Sequence, residues 1–130
     1  MPRDYRKLIV WKKADDLVVE IYRASALHLP REERYGLTQQ LRRSAISVPS
    51  NLAEGCGRRT EEDFRQFLYV ARGSIHEVEY QLHLAARLGY LPPEEHLRLE
   101  DMRNEVGKLL TGLLRHVDTQ ITGKRHRRTT

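Results

Sequence analysis

Apolar residues recur every three or four positions along most of the chain, which is the spacing of one face of an α-helix. Three such segments cover about residues 8–28, 35–55 and 61–88, and a fourth runs from Pro92 to Val117. No segment alternates apolar and polar residues as a half-buried strand does, and glycine and proline fall mainly between the segments. Short loops make consecutive helices antiparallel. The pattern therefore predicts an all-α fold, an antiparallel up-down-up-down four-helix bundle.

The second segment carries two parallel stripes. Its apolar stripe, which we predict to lie in the core, consists of Leu37, Leu41, Ala45, Val48 and Leu52. A stripe of small polar residues follows the same rhythm at Gln40, Ser44, Ser47 and Asn51. Glycine in the middle of a helix favours close approach by another backbone, so we expect Gly73 and Ser74 on the third segment to face this polar stripe. The contact could lie within one subunit or between subunits.

The other segments predict the rest of the core. The first is expected to bury Trp11, Ala14, Val18, Ile21 and Tyr22, the third Phe64, Phe67, Leu68, Ala71, Ile75, Val78 and Leu82, and the fourth Leu99, Met102, Val106, Leu109, Leu110, Leu113 and Val117. Gly55 stands where a left-handed helix cap is expected, and Thr60 with Asp63 forms a Thr-x-x-Asp helix start.

At 130 residues the chain fits one domain with a sizeable core. We assign residues 1–121 to the bundle. Residues 122–130 contain no apolar side chain to bury, and we expect this basic tail to be disordered.

The net charge of +5 is unevenly distributed. Residues 1–59 hold twelve basic and seven acidic side chains, whereas residues 60–123 hold seven basic and eleven acidic ones. The tail supplies four further basic residues. The body is thus a charge dipole, which can guide nucleic acid to the first half or bring unlike halves of neighbouring subunits together.

The single cysteine, Cys56, cannot form an intrachain disulfide, which suits a reducing compartment. No run approaches the roughly 18 apolar residues that a membrane span requires. These features predict a cytoplasmic protein without membrane contact. We expect Cys56 to be an accessible thiol in a loop, because no general base that could activate it is evident.

Catalytic and metal-binding patterns are weak. The loop at residues 55–59 resembles a phosphate cradle only superficially, since three acidic residues follow it in the first helical turn. His76, Glu79 and His83 share one helix face, which leaves a metal enzyme as a minor alternative, but a solvated polar face explains them better. We therefore expect no enzymatic activity, no cofactor and no metal.

Basic residues form the main candidate binding set. Guanidinium and ammonium groups bind phosphates, so contacts to RNA or DNA are predicted for the pairs in and after the second helix and for the tail. The set is Arg42, Arg43, Arg58, Arg59, Lys124, Arg125, Arg127 and Arg128.

Several motifs also resemble a known family. They are Leu8-x-Val-Trp-x-x-Ala14, Tyr35-Gly-Leu-x-x-Gln-Leu-Arg-Arg43, Ser47-Val-Pro-Ser-Asn-Leu-Ala-Glu-Gly55, Ala71-Arg-Gly-Ser-Ile-x-Glu77 and Leu88-Gly-Tyr90. Over about residues 5–118 the chain resembles the proteins encoded in intervening sequences of bacterial 23S rRNA genes, also labelled S23 ribosomal proteins. The resemblance implies a four-helix bundle that assembles as a ring-shaped homopentamer without established enzymatic activity.

The same family is distantly similar to the accessory variability protein of diversity-generating retroelements, which binds a reverse transcriptase and nucleic acid. Two interpretations follow. The first is a non-enzymatic homo-oligomeric scaffold that binds nucleic acid or a nucleic-acid enzyme such as a reverse transcriptase. The alternative is a protein-binding adaptor with no direct nucleic-acid contact.

Overall fold

The structure is a computed structural model that describes residues 3–129, apart from the side chains at positions 125, 126, 128 and 129. Its four helices are α1 (Ile9–His28), α2 (Leu37–Cys56), α3 (Glu61–Arg87) and α4 (Pro93–Thr129). Single-turn 3-10 helices, Tyr5–Lys7 and Arg31–Glu33, precede α1 and α2. Residues 3–129 contain no strand, and the predicted all-α class is confirmed.

Ion pairs between helices show how the helices run. Arg65 near the start of α3 pairs with Asp118 late in α4 at 3.0 Å, whereas Glu79 further along α3 pairs with Arg103 earlier in α4 at 3.2 Å. These two pairs make α3 antiparallel to α4, and the bond from Arg42 early in α2 to Ser25 late in α1 shows the same for α1 and α2. Each helix also packs against two others, and α1 closes the ring against α4. The result is the predicted up-down-up-down bundle.

The core of the bundle follows the apolar stripe of α2, where all five predicted positions are buried. The stripe of α1 is displaced. Tyr22 is 39% exposed and Trp11 and Val18 are only partly buried, while Val10 and Leu17 lie in the core. Apolar residues occupy two adjacent faces of α1, and spacing alone does not tell which one points to the centre. The second face remains near the surface beside α2.

The other two helices show smaller departures of the same kind. On α3 only Phe67 of the predicted set is incompletely buried. On α4, Met102, Leu109 and Leu113 lie at the edge of the core, and Leu114 and Ile121 are buried instead. A wide apolar stripe has a centre and two edges, and its edges stay partly accessible.

Gly55 does not act as the predicted left-handed cap. It lies inside α2, which ends one residue later, and Gly57 follows the helix with a φ of −82°. A Cβ atom at position 55 would lie 2.8 Å from Cβ of Phe67 and 3.1 Å from Cδ1 of Phe64. Glycine is present here because α3 packs directly against the α2 backbone.

The predicted start signal of α3 is found in the structure, and a glycine follows the other end of the helix. The backbone N–H of Asp63 donates to Oγ1 of Thr60 at 3.1 Å, which caps the first turn. At the other end Gly89 has a φ of +81°, and its N–H donates to the carbonyl of Ala86. The next N–H, of Tyr90, donates to Ala85 at 3.0 Å. This pair of bonds is the Schellman ending, in which glycine avoids the strain of a left-handed backbone.

Glu33 ties together the two turns at one end of the bundle. Its Oε1 accepts a bond from the backbone N–H of Leu37 at 3.0 Å, and its Oε2 accepts one from the Tyr90 hydroxyl at 3.0 Å. The hydrogen bond to this carboxylate raises the pKa of Tyr90. The α1–α2 turn, with Arg34 and Tyr35, is therefore held against the α3–α4 turn.

The predicted disorder after residue 121 differs from the structure, in which α4 continues to Thr129. Ile121 is buried and holds the helix to the bundle at that point. Extending an existing helix adds one hydrogen bond for each residue fixed, so it needs no new apolar contact. None of the helices in the described part of the chain is long and apolar enough to cross a membrane.

Candidate nucleic-acid interface

The predicted basic residues lie at two opposite ends of α2. Arg42 and Arg43 are near its start, close to the α1–α2 turn, whereas Arg58 and Arg59 follow its end. A helix of 20 residues spans about 30 Å. The structure therefore does not bring the two arginine pairs into one site.

Arg42 is held in place by α1. Its Nε donates to Oγ of Ser25 at 2.9 Å and its Nη2 donates to the main-chain carbonyl of Tyr22 at 3.3 Å. The guanidinium also lies over the Tyr22 ring, 4.5 Å from the ring centroid. Arg42 thus links α1 to α2, and its orientation is fixed before any ligand arrives. Arg43 is exposed, and no other described residue pairs with it.

Arg42 and Arg43 belong to a shallow surface pocket of about 480 Å³. We call it the arginine–tyrosine surface and define it by Tyr22, Arg34, Tyr35, Arg42 and Arg43. Tyr35 is 78% exposed, and the guanidinium of Arg34 lies 5.4 Å from its ring centroid. No carboxylate lines the pocket. Fixed cations beside exposed aromatic rings suit a ligand that carries both phosphates and bases, because bases stack on such rings.

The sequence pattern did not predict Arg34 and Tyr35 as binding residues. Both precede the first turn of α2, and the sequence assigned them only to a connecting turn. A usable signal was nevertheless present, since an Arg-Tyr pair lies about two helical turns before Arg42 and Arg43. Loop residues on a rigid scaffold often carry binding function.

The second basic region lies at the opposite end of the bundle. Arg58 already contacts neighbouring side chains. Its Nη2 donates to Oε1 of Glu54 at 2.8 Å, and its guanidinium covers the Phe67 ring. Arg59, Lys124 and Arg127 are exposed. The predicted contacts of Arg125 and Arg128 lie outside the described residues.

The N-terminal segment crosses this second end and supplies a contact that the sequence did not predict. Arg3 donates to Oε2 of Glu61 at 2.8 Å, and its guanidinium lies 4.1 Å from the Phe64 ring centroid. This bond, together with the nearby charges of Arg3 and Lys124, holds the pKa of Glu61 below its usual range. The Arg3 backbone N–H also donates to the carbonyl of Cys56 at 2.8 Å.

Cys56 itself is not the accessible loop thiol that we expected. It is the last residue of α2 and only 1% exposed, because α2 extends past Gly55 and turns this side chain into the core. Burial raises the pKa of the thiol. A buried, protonated thiol is a poor nucleophile.

The residues of the small polar stripe and its expected α3 partners fall into two groups in the structure, one with contacts inside the chain and one exposed. Oγ of Ser74 donates to Oγ of Ser47 at 2.8 Å, and Ser44 is buried nearby on α2. Nδ2 of Asn51 donates to Oγ of Ser47 at 2.9 Å. These four residues therefore make contacts within one chain.

Gln40 and Gly73, in contrast, are exposed. A Cβ atom at position 73 would meet nothing within 4 Å. The expected close approach to Gly73 is thus absent within this chain, because Gly73 lies on the outer face of α3. For these two positions a subunit contact stays a prediction.

The histidine-rich face of α3 is occupied by ordinary polar contacts. Nδ1 of His76 lies 3.7 Å from Oε1 of Glu79, whose other carboxylate oxygen accepts from Arg103, and His83 lies beside Tyr80. Among the side chains that the structure describes, no three His, Cys, Asp or Glu residues are placed to hold a metal ion.

Comparisons with known proteins agree with this architecture. A family model described as "23S rRNA-intervening sequence protein" matches residues 6–112. The chain is also similar to a solved structure from Bacteroides thetaiotaomicron, described as a protein with unknown function from the S23 ribosomal protein family. The two have a TM-score of 0.76 and 24% sequence identity over 82% of this chain and 98% of that chain. No curated protein matches the chain significantly.

Proposed function

This chain belongs to the family of 23S rRNA-intervening sequence proteins, and we propose that it is a non-enzymatic, self-assembling scaffold that binds nucleic acid through the arginine–tyrosine surface. The observation that carries the proposal is the placement of three arginines and two tyrosines around one pocket without a carboxylate. Arginine provides phosphate contacts, and an exposed tyrosine provides a face on which a base can stack.

Single-stranded nucleic acid fits this surface better than a duplex does. Tyr35 lines the pocket and is 78% exposed, so its ring face is accessible to a base. Unpaired bases can leave the stack and pack against such a ring, whereas bases within a duplex cannot. A reverse transcriptase or another nucleic-acid enzyme could then be recruited through the bound strand.

The first prediction concerns the affinity for RNA. Fluorescence anisotropy with a single-stranded RNA and the matching DNA, over a salt series, should show binding that weakens steeply with salt. In the Arg34→Ala/Arg43→Ala double variant, the slope of log affinity against log salt should fall by about 1.4, since each single-strand phosphate contact contributes about 0.7. Tyr35→Ala should weaken binding roughly tenfold at any salt concentration, because stacking is not ionic.

The matched control is Arg58→Ala/Arg59→Ala, which removes the same charge from the opposite end of the bundle. It should leave the salt slope nearly unchanged. If only the control variant lost affinity, the interface would lie at the other end. Absence of salt-sensitive binding in the unmodified chain would leave the adaptor function as the surviving interpretation.

Self-assembly rests on a separate feature. An apolar groove of about 300 Å³ runs between α1 and α2 and is lined by Tyr5, Trp11, Asp15, Val18, Ile46, Pro49, Ser50 and Ala53. Two of its apolar side chains, Trp11 and Val18, belong to the face of α1 that was predicted to be in the core. A second copy is a suitable occupant because residues 1–59 carry an excess of basic side chains and residues 60–123 carry an excess of acidic ones.

The second prediction concerns the oligomer. Light scattering on a sizing column should give about five times the chain mass of 15.3 kDa, the pentamer that the family resemblance implies. Val18→Glu should shift the mass toward one chain, because it places a charge in the groove. Val70→Glu, the same change at an exposed position on α3, should not. A monomer for the unmodified chain, or equal masses for the two variants, would contradict assembly through the groove.

A further inference from the structure

A second open groove lies between α3 and α4, on the face of the bundle away from the arginine–tyrosine surface. We propose that this polar groove binds phosphate groups. Its volume is about 560 Å³, and its basic or polar lining residues include Arg72, His76, Asn104, Lys108 and Arg115. The second half of the chain is acidic in composition, which gives no sign of a basic groove. Most of its acidic residues, however, lie outside the groove.

The antiparallel register divides the groove into a paired end and a basic end. Glu79 pairs with Arg103 at the paired end, and Arg65 pairs with Asp118 beyond the other end. Between these two pairs, the register brings Arg72 on α3 opposite Thr111 on α4. Arg115, one turn after Thr111, lies on the same side. Two guanidinium groups from different helices thus approach one segment of the groove.

At the paired end, the charge of Arg103 is already balanced by carboxylates of the protein. The guanidinium of Arg103 makes bonds of 2.6 to 3.0 Å with Glu100 and one of 3.2 Å with Glu79. At the basic end, by contrast, no described carboxylate pairs with Arg72, Lys108 or Arg115. An anion that enters the groove is therefore attracted to the end where the positive charge is not neutralised.

Two glycines on α4 keep the groove open. Each glycine inside a helix costs about 1 kcal/mol relative to alanine. Neither position has a packing reason, since a Cβ atom at Gly112 would meet nothing within 4 Å and one at Gly107 would make only ordinary contact at 3.6 Å. Both glycines line the groove. Their absent side chains leave space for a ligand beside the helix.

Phosphate is the group that this chemistry recognises. A guanidinium presents parallel N–H donors that match two phosphate oxygens, and Lys108 adds a point charge. The phosphates could belong to the backbone of a nucleic acid or to a free nucleotide or polyphosphate. The groove does not depend on the arginine–tyrosine surface, because the two share no residue.

Titration calorimetry with sodium tripolyphosphate tests the free-ligand source, and RNA anisotropy tests the nucleic-acid source. The Arg72→Gln/Arg115→Gln double variant should lower the affinity for one of the two ligands at least tenfold. Gly112→Leu should do the same without removing charge, since it fills the groove. Arg87→Gln, an exposed arginine outside the groove, is the control and should change neither affinity.

Each outcome has a definite meaning. Loss of tripolyphosphate binding supports a site for free polyphosphates, and loss confined to RNA supports a backbone contact. If both groove variants bound both ligands as tightly as the Arg87→Gln control, or if the unmodified chain bound neither ligand, the proposal would be overturned. The Arg34→Ala/Arg43→Ala variant leaves the groove intact, so failure of the proposed function can be distinguished from failure of this site.

Discussion

Replacing Gly55 by leucine is expected to destabilise the bundle by about 3 kcal/mol, because even the first added carbon would collide with the core. A Cβ atom there would lie 2.8 Å from Cβ of Phe67, an atom fixed to the α3 backbone. The clash can therefore be relieved only if α2 and α3 move apart, because rotation of one side chain does not move this atom. The midpoint of urea unfolding, followed by circular dichroism, measures the loss.

Gly73→Leu is the matched control, since it makes the same substitution in a helix interior at an exposed position. It should raise stability by just under 1 kcal/mol, because leucine is the better helix former. Equal effects of the two substitutions would mean that α2 and α3 do not pack as closely as described. Loss of the oligomer in Gly73→Leu, with the subunit itself still stable, would place Gly73 at a subunit contact.

Glu100→Gln is expected to cost about 2 kcal/mol, because it leaves a buried guanidinium without its main partner. Arg103 is only 6% exposed, and Glu100 provides three of its four ion-pair bonds. These bonds also raise the pKa of Arg103, so the arginine stays charged throughout. A neutral amide keeps the shape of the carboxylate but loses most of the attraction. Urea unfolding again provides the measurement.

Glu79→Gln removes a carboxylate from the same guanidinium and serves as the comparison. Its single bond to Arg103 is longer, at 3.2 Å, and the Glu79 side chain is 49% exposed. Ion pairs of this kind contribute less than about 1 kcal/mol. We therefore expect a smaller loss than for Glu100→Gln. The reverse order would show that Glu79, and not Glu100, is the partner that keeps Arg103 in place.

The sequence predicted those parts of the fold that depend on neighbours within one or two helical turns. The apolar stripe of α2 and the Thr60 cap both depend on residues three or four positions apart, and both predictions were confirmed. Gly55 was assigned the wrong role because a helix end and a close packing contact both favour glycine. Only the position of Phe67, twelve residues later, distinguishes them.

The candidate site was less predictable because its parts come from different helices. Arg42 appeared to be a free cation in the sequence, yet it bonds to Ser25 and covers Tyr22. The polar groove combines residues from α3 and α4 that are about forty positions apart, and no local pattern marks them. Its one local sign was a pair of helix glycines, Gly107 and Gly112, with no apparent packing role.

Because Cys56 is buried, the reaction of its thiol with a reagent reports local opening of the bundle. This thiol is the only one in the chain, and it lies at the end of α2 beneath the segment that carries Arg3. A thiol reagent can reach it only when this end of the bundle transiently separates, so the labelling rate measures the free energy of that opening. The free energy of opening can thus be measured in the unaltered chain, without an introduced probe.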